Sequence, residues 1–262
     1  MFSIVYPESP ILVWAPIVDS DTIYVGQIVE CQGNEGIAPI AAAAGANDTT
    51  GKIVPFGVVV GLSNYVPSFD ATYKTEKIVD ATPLASTADF RLVGGLWPKN
   101  DHVAYAHIAL IDATTILKGD IFNAAVGTAI TVGTLTAGDS VSATSSALEV
   151  AGVATLATLY FRTGSNAGSY RITDDASTTA LTWDKPLYVV AAVGDTVVRA
   201  NGLRLLGPSR VQFDSESIYI NNAAALTVDY YGVDVVKLDL REAGKEHVYF
   251  RFNADHFCLT RA

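Results

Sequence analysis

VDVVKLDLREAGKEHVYFRFNADHF (Val233–Phe257) decides the fold class. In its first half Val236, Leu238 and Leu240 fall on one side of an extended chain, and Lys237, Asp239 and Arg241 on the other. In its second half Phe250, Phe252, Ala254 and His256 share a face, opposite Tyr249, Arg251, Asn253 and Asp255. Side chains alternate across a strand with period two, so each half reads as a strand with one buried side. REAGKE (Arg241–Glu246) between them carries Gly244 where a tight turn needs positive φ, which joins the two as a β-hairpin.

The remainder of the 262 residues points the same way. Charged residues make up 17%, against roughly 25% in an ordinary globular domain. Surface helices need long charged faces, and this chain has little to build them from. Half of it is hydrophobic and 21 residues are Gly, with Thr throughout, which suits strands and tight turns. The chain therefore reads as all-β.

Strands are expected at Ile11–Val13, Gln27–Gln32 and Phe56–Leu62, with a loop containing four consecutive alanines between the last two. Ser63–Lys77 is aromatic and polar without either period, and reads as an extended arm or long loop. From Thr158 a meander follows: LYFRT, the turn GSNAG, SYRIT, the turn DDAS, TTALTW, a break at Asp184–Pro186, and a strand LYVVAAV. Such turn spacing belongs to a sandwich or barrel. Gly-Asp at 119–120, 138–139 and 194–195 is expected in turns entering strands. Composition shifts near Lys118 and Gly207–Pro208 suggest a β-barrel or sandwich domain built from residues 1–117 plus 209–262, with residues 118–208 inserted as a second β-rich domain. One continuous sandwich is the alternative.

Charge and cysteine usage exclude several functions. The net charge is −10 with no Lys/Arg cluster, so nothing supplies the cations that displace counterions from nucleic acid. No apolar run approaches the roughly 18 residues of a membrane span. MFSIVYPESPILVWAP lacks a basic start and is interrupted by Pro7, Pro10 and Pro16, so it does not read as a secretory signal. Cys31 and Cys258 do not make a disulfide framework, and synthesis in a reducing cytosol is expected.

The residues that could carry chemistry read as structural. His102 and His107 have an odd spacing, which puts them on opposite faces of a strand. His247 and His256 do the same. His256 and Cys258 share the apolar face of Phe250 and Phe252, where a thiol is protonated and inert. Gly138-Asp139-Ser140 echoes a serine-hydrolase triplet without its strand-to-helix setting, and reads as a turn. Asp19/Asp21 and Asp174/Asp175 fall in expected turns, without the alternating ligands of a calcium loop. GSNAG lacks the Lys-Ser/Thr of a phosphate loop. No catalytic residue, metal ligand or cofactor is expected, and the chain is expected not to be an enzyme.

One resemblance is positive. Tyr160–Ala200 resembles a segment of tailed-bacteriophage structural proteins, in which an R-x-G-x-N-x-G-x-x-R hairpin leads to a V-G-D-x-hydrophobic strand. The matching residues are Arg162, Gly164, Asn166, Gly168, Arg171, Val193, Gly194, Asp195 and Val197. Gly26–Leu62 is similar to the small barrel of phage head decoration proteins. The resemblance implies a virion (capsid) protein assembled in the host cytoplasm. It would cement the outside of an icosahedral head as a homotrimer, touching the major capsid protein or other virion proteins. A tail or head–tail connector component is the alternative within virions. A carbohydrate-binding β-module using Tyr65, Tyr73, Trp97 or Trp183 is the alternative from another class. The expected interface is the Ser63–Lys77 segment, where Tyr65, Phe69 and Tyr73 carry apolar area and Lys74 and Lys77 a polar end.

Overall fold

A computed structural model defines the fold, described for residues 1–17, 21, 23–32, 36–40, 55–63, 77–78, 105–121, 130–145, 147–148, 157–176, 181–209, 212–213, 215–216, 218–219 and 233–253. The chain is all-β. Every regular element among the described residues is a strand, numbered β1 to β21 in chain order.

The first sheet joins both ends of the chain. Its order is β1 (Phe2–Tyr6), β9 (Ile116–Asp120), β21 (His247–Phe252), β20 (Val233–Asp239) and β17 (Gly207–Ser209). The second has seven strands from one contiguous stretch. They are β10 (Ile130–Thr134), β16 (Thr196–Ala200), β13 (Thr158–Phe161), β14 (Tyr170–Ala176), β15 (Leu181–Trp183), β12 (Ser142–Thr144) and β11 (Ala137–Gly138). Its chain leaves the first sheet after β9 and returns at β17, so this sheet is an insertion. A third sheet uses the early chain alone: β2 (Leu12–Pro16), β8 (Tyr105–Leu110), β6 (Pro55–Ser63), β4 (Ile28–Gln32) and β5 (Gly36–Pro39). Two short ribbons pair β3 (Ile23–Tyr24) with β7 (Lys77–Ile78), and β18 (Gln212–Phe213) with β19 (Ile218–Tyr219). The strand orders are open, and none of the described sheets closes into a barrel.

Period-two patterning explains how the sheets share a core. All four residues of β13 are buried. Leu159 and Phe161 join Leu181, Trp183 and Val197 in a core belonging to the seven-stranded sheet. Tyr160, from the other face, packs with Val198 and Ala200 into a larger core with Phe2, Leu117, Val235, Val248, Phe250 and Phe252. The inserted sheet is thus apolar on both faces around β13 and β16, one face filled by its own loops and the other by the sheet of the chain ends.

The expected hairpin is present, with Gly244 at φ 77°. Val248, Phe250 and Phe252 face the core, Tyr249 and Asn253 are half-buried and Arg251 is exposed. Ala254, Asp255 and His256 lie outside the described residues. Several local expectations are corrected. Val236 is exposed rather than buried, because the register passes from Val235↔Phe250 to Lys237↔Tyr249 and makes Val236 the extra residue of a β-bulge. Asp174 and Asp175 lie within β14, where the pairing moves from Thr173↔Trp183 to Ala176↔Leu181 and a second irregularity absorbs them. Gly119–Asp120 ends β9 instead of turning; Gly119 is required there because the Phe2 ring lies where a Cβ would be. Leu187–Val193 is not a strand, since β15 and β16 on either side of it already have both neighbours filled. The first expected strand is displaced, running Leu12–Pro16. Of the loop expected between Gln32 and Phe56, Gly36–Pro39 is instead strand β5, paired with β4, and its four alanines lie outside the described residues.

Leu206 holds the left-handed conformation, φ 59°, with 81% of its surface exposed. That conformation costs a non-glycine residue about 1–2 kcal/mol, and the exposed side chain returns little packing. Its amide donates to Val235 O at 3.0 Å, a bond any residue keeps. Leu206→Gly relieves the strain, partly offset by the greater freedom of unfolded glycine. A rise in stability of up to about 1 kcal/mol in urea melts is expected; a clear loss would mean that the Leu206 side chain packs on something.

Candidate interface on the inserted sheet

Between β15 and β16 the chain runs through Asp184–Asp195 without regular structure, yet nearly every turn of it is tied down. The Leu187 amide donates to Ser140 O at 2.7 Å and the Ala191 amide to Asp139 O at 3.3 Å. Asn166 Nδ2, itself buried, donates to Val189 O at 2.9 Å. The Ala192 amide donates to Asp195 Oδ2 at 3.1 Å, and the Gly194 amide to Leu135 O at 2.9 Å. Leu187 and Ala191 turn inward into the core of the sheet.

Apart from buried Asp195, the remaining side chains of this run point out. Tyr188 is 100% exposed, Val193 73% and Val190 56%, with Val189 and Val141 also exposed. From Pro186 to Gly194 there is no charged residue. Burying a side chain of this kind is worth about 1.5–3 kcal/mol, and this loop leaves several of them in water. The turn beneath is equally set. Asp139 Oδ1 accepts from the Val141 amide at 2.7 Å and the Ser142 amide at 2.6 Å, and these donors hold its carboxyl below the usual carboxylate range.

The residues of the quoted hairpin motif support this loop or anchor the sheet. Gly164 has φ 79° and lies against the Asp195 carboxylate, where a Cβ would collide. Asn166 holds Val189, and Arg171 Nη2 reaches Pro186 O at 3.4 Å. Arg162 turns to the other face: its Nη2 meets Glu246 Oε1 at 2.6 Å, and its Nε donates to Leu240 O at 2.8 Å.

Of the interface residues expected from sequence, Tyr65, Phe69, Tyr73 and Lys74 lie outside the described residues, and Lys77 lies on β7, paired with Tyr24 of β3. Trp183 is no exposed platform. It is buried, edge-on to Phe161 at 6.0 Å, and its Nε1 donates to Ser140 O at 2.9 Å. Trp97, His102, His256, Cys258 and Asp19 lie outside the described residues. His107 stacks on Trp14 at 4.5 Å across the β2–β8 pair, and His247 Nδ1 lies 2.9 Å from Asp120 Oδ1. Gly138-Asp139-Ser140 is the turn described above. Among the described residues no group of three metal-ligating side chains converges, and no helix is long and apolar enough to cross a membrane. The Tyr188 loop is the feature missed from sequence; its signal was an uncharged run between Pro186 and Gly194-Asp195.

No protein-family model, curated protein or solved structure matches the chain.

Proposed function

We propose that this chain is a virion structural protein that binds the outside of an icosahedral capsid and reinforces it through protein–protein contacts. The observation that carries the reading is the Tyr188 loop, an apolar, uncharged surface held rigid on an all-β scaffold. Preorganised apolar display suits recognition of protein, since interface cores are depleted in charge and rigid loops lose little entropy on binding. The resemblance of Tyr160–Ala200 and Gly26–Leu62 to phage virion segments gives the reading its setting. Many weak contacts repeated across a shell would replace one tight one by avidity. Burial of Trp183 takes one aromatic away from the carbohydrate-binding alternative.

The test is cosedimentation with phage heads that lack the protein. Saturable binding is expected, together with a higher temperature of DNA release from the heads. Replacing residues 64–75 with a short Gly/Ser link is expected to weaken head binding while leaving Tm nearly unchanged. No binding of the intact chain to heads would overturn the proposal; unfolding of the linker variant would mean that the segment is core.

A further inference from the structure

We infer that the apolar face of the 187–193 loop is the site at which a second copy of this chain docks; this rests on reading the chain as an assembling structural protein. Tyr188, Val190 and Val193, with Val189 and Val141, expose roughly 500 Å² of side chain, at the upper end of the largest apolar patch on a typical monomer, which is often functional. Two such faces fully covered against each other bury about 1,000 Å², the threshold of a biological interface.

A dry contact requires that the backbone it covers be satisfied without water. Here the amides of Leu187, Ala191, Ala192 and Gly194 and the carbonyl of Val189 are already bonded within the protomer. Covering these groups costs no hydrogen bond.

Each copy carries −10, so copies repel at long range. The run from Pro186 to Gly194 brings no like charges together at contact, and the carboxylates flanking it, Asp184 and Asp195, and Asp139 of the turn beneath each accept an amide within the protomer. A basic partner would find no counter-charge on this face. A second identical face finds the same apolar surface, with Tyr188 as the kind of residue that dominates interface energetics.

The experiment is sedimentation equilibrium of the full chain from micromolar to submillimolar concentration, at low and high NaCl. Concentration-dependent association is expected, strengthened by salt because salt screens repulsion between acidic copies. The double variant Tyr188→Ser/Val190→Ser is expected to associate at least about tenfold more weakly, as loss of an aromatic hot spot implies, with Tm unchanged. Tyr188→Phe is expected to keep the association. Should the double variant not fold, Val193→Asp at the other end of the face carries the same expectation. A wild-type chain that stays monomeric throughout, or a folded variant that associates as tightly as wild type, overturns the inference. A monomeric chain that still binds heads would remove self-docking and leave the proposed function standing. An associating chain that ignores heads would do the reverse.

Discussion

Phe250→Ala is expected to destabilise the protein by about 3–5 kcal/mol, the range for emptying a buried aromatic site. Phe250 is fully buried on β21, flanked by β9 and β20. Its ring meets Phe2 edge-on at 5.8 Å and Phe252 edge-on at 5.5 Å, so truncation removes two aromatic contacts as well as the area. Because Phe2 comes from the other end of the chain, the cavity opens where the two ends are joined, and neighbours held in three strands have little freedom to collapse into it. Tyr249→Ala, one residue earlier on the opposite face, is expected to cost about 1 kcal/mol or less: the ring is half-buried, with Lys237 Nζ 4.9 Å from its centre. Urea melts of the two variants decide the matter. Equal losses would mean that the strand has no preferred face.

The same strand shows what was legible in the sequence. An antiparallel strand with one dry face writes its fold into every second residue, so β21 and its turn could be read directly. In β20 the adjacent Val235 and Val236 gave no such guidance, because a bulge lets either one face inward, and the choice is made by the partner strand. Leu187–Val193 failed for a related reason. A short apolar run has no period that separates a buried strand from a displayed loop. The difference lay in whether any sheet edge was vacant beside it, and the neighbouring strands were already paired. Trp183 fails as an exposed sugar platform because the alternation of Leu181, Thr182 and Trp183 sets the indole on the inner face. The uncharged run around Tyr188 does not by itself reveal a surface, since what makes it one is the set of hydrogen bonds with Asn166, Ser140 and Asp139, all distant in sequence.

Arg162 poses the same problem of sequence distance and yields the second large effect. Arg162→Ala is expected to cost about 3–5 kcal/mol, the loss typical when one partner of a buried ion pair is removed. The side chains of Arg162 and Glu246 are 11% and 9% exposed, with a 2.6 Å contact. Truncation strands the Glu246 carboxylate in a poorly hydrated position and frees Leu240 O, which now accepts from Arg162 Nε. Glu246→Gln keeps a neutral acceptor opposite the guanidinium but leaves the cation without its counter-charge, so an intermediate loss is expected. Arg162→Met/Glu246→Leu removes both charges and fills the space with apolar atoms, and is expected to lie well above either single truncation in stability. A double-mutant cycle separates the pair from its surroundings. A coupling of at least about 2 kcal/mol, little changed by salt, is expected, because burial shields the pair from screening. The location gives the result its structural meaning. Arg162 follows β13 in the inserted sheet and Glu246 precedes β21 in the sheet of the chain ends, while Tyr170 OH, donating to Leu238 O at 2.8 Å, ties the same two sheets nearby. A coupling near zero, or one that vanishes in high salt, would mean that the inserted sheet is held by the Tyr160–Phe250 core and bonds such as Tyr170–Leu238, and that the ion pair only decorates the junction.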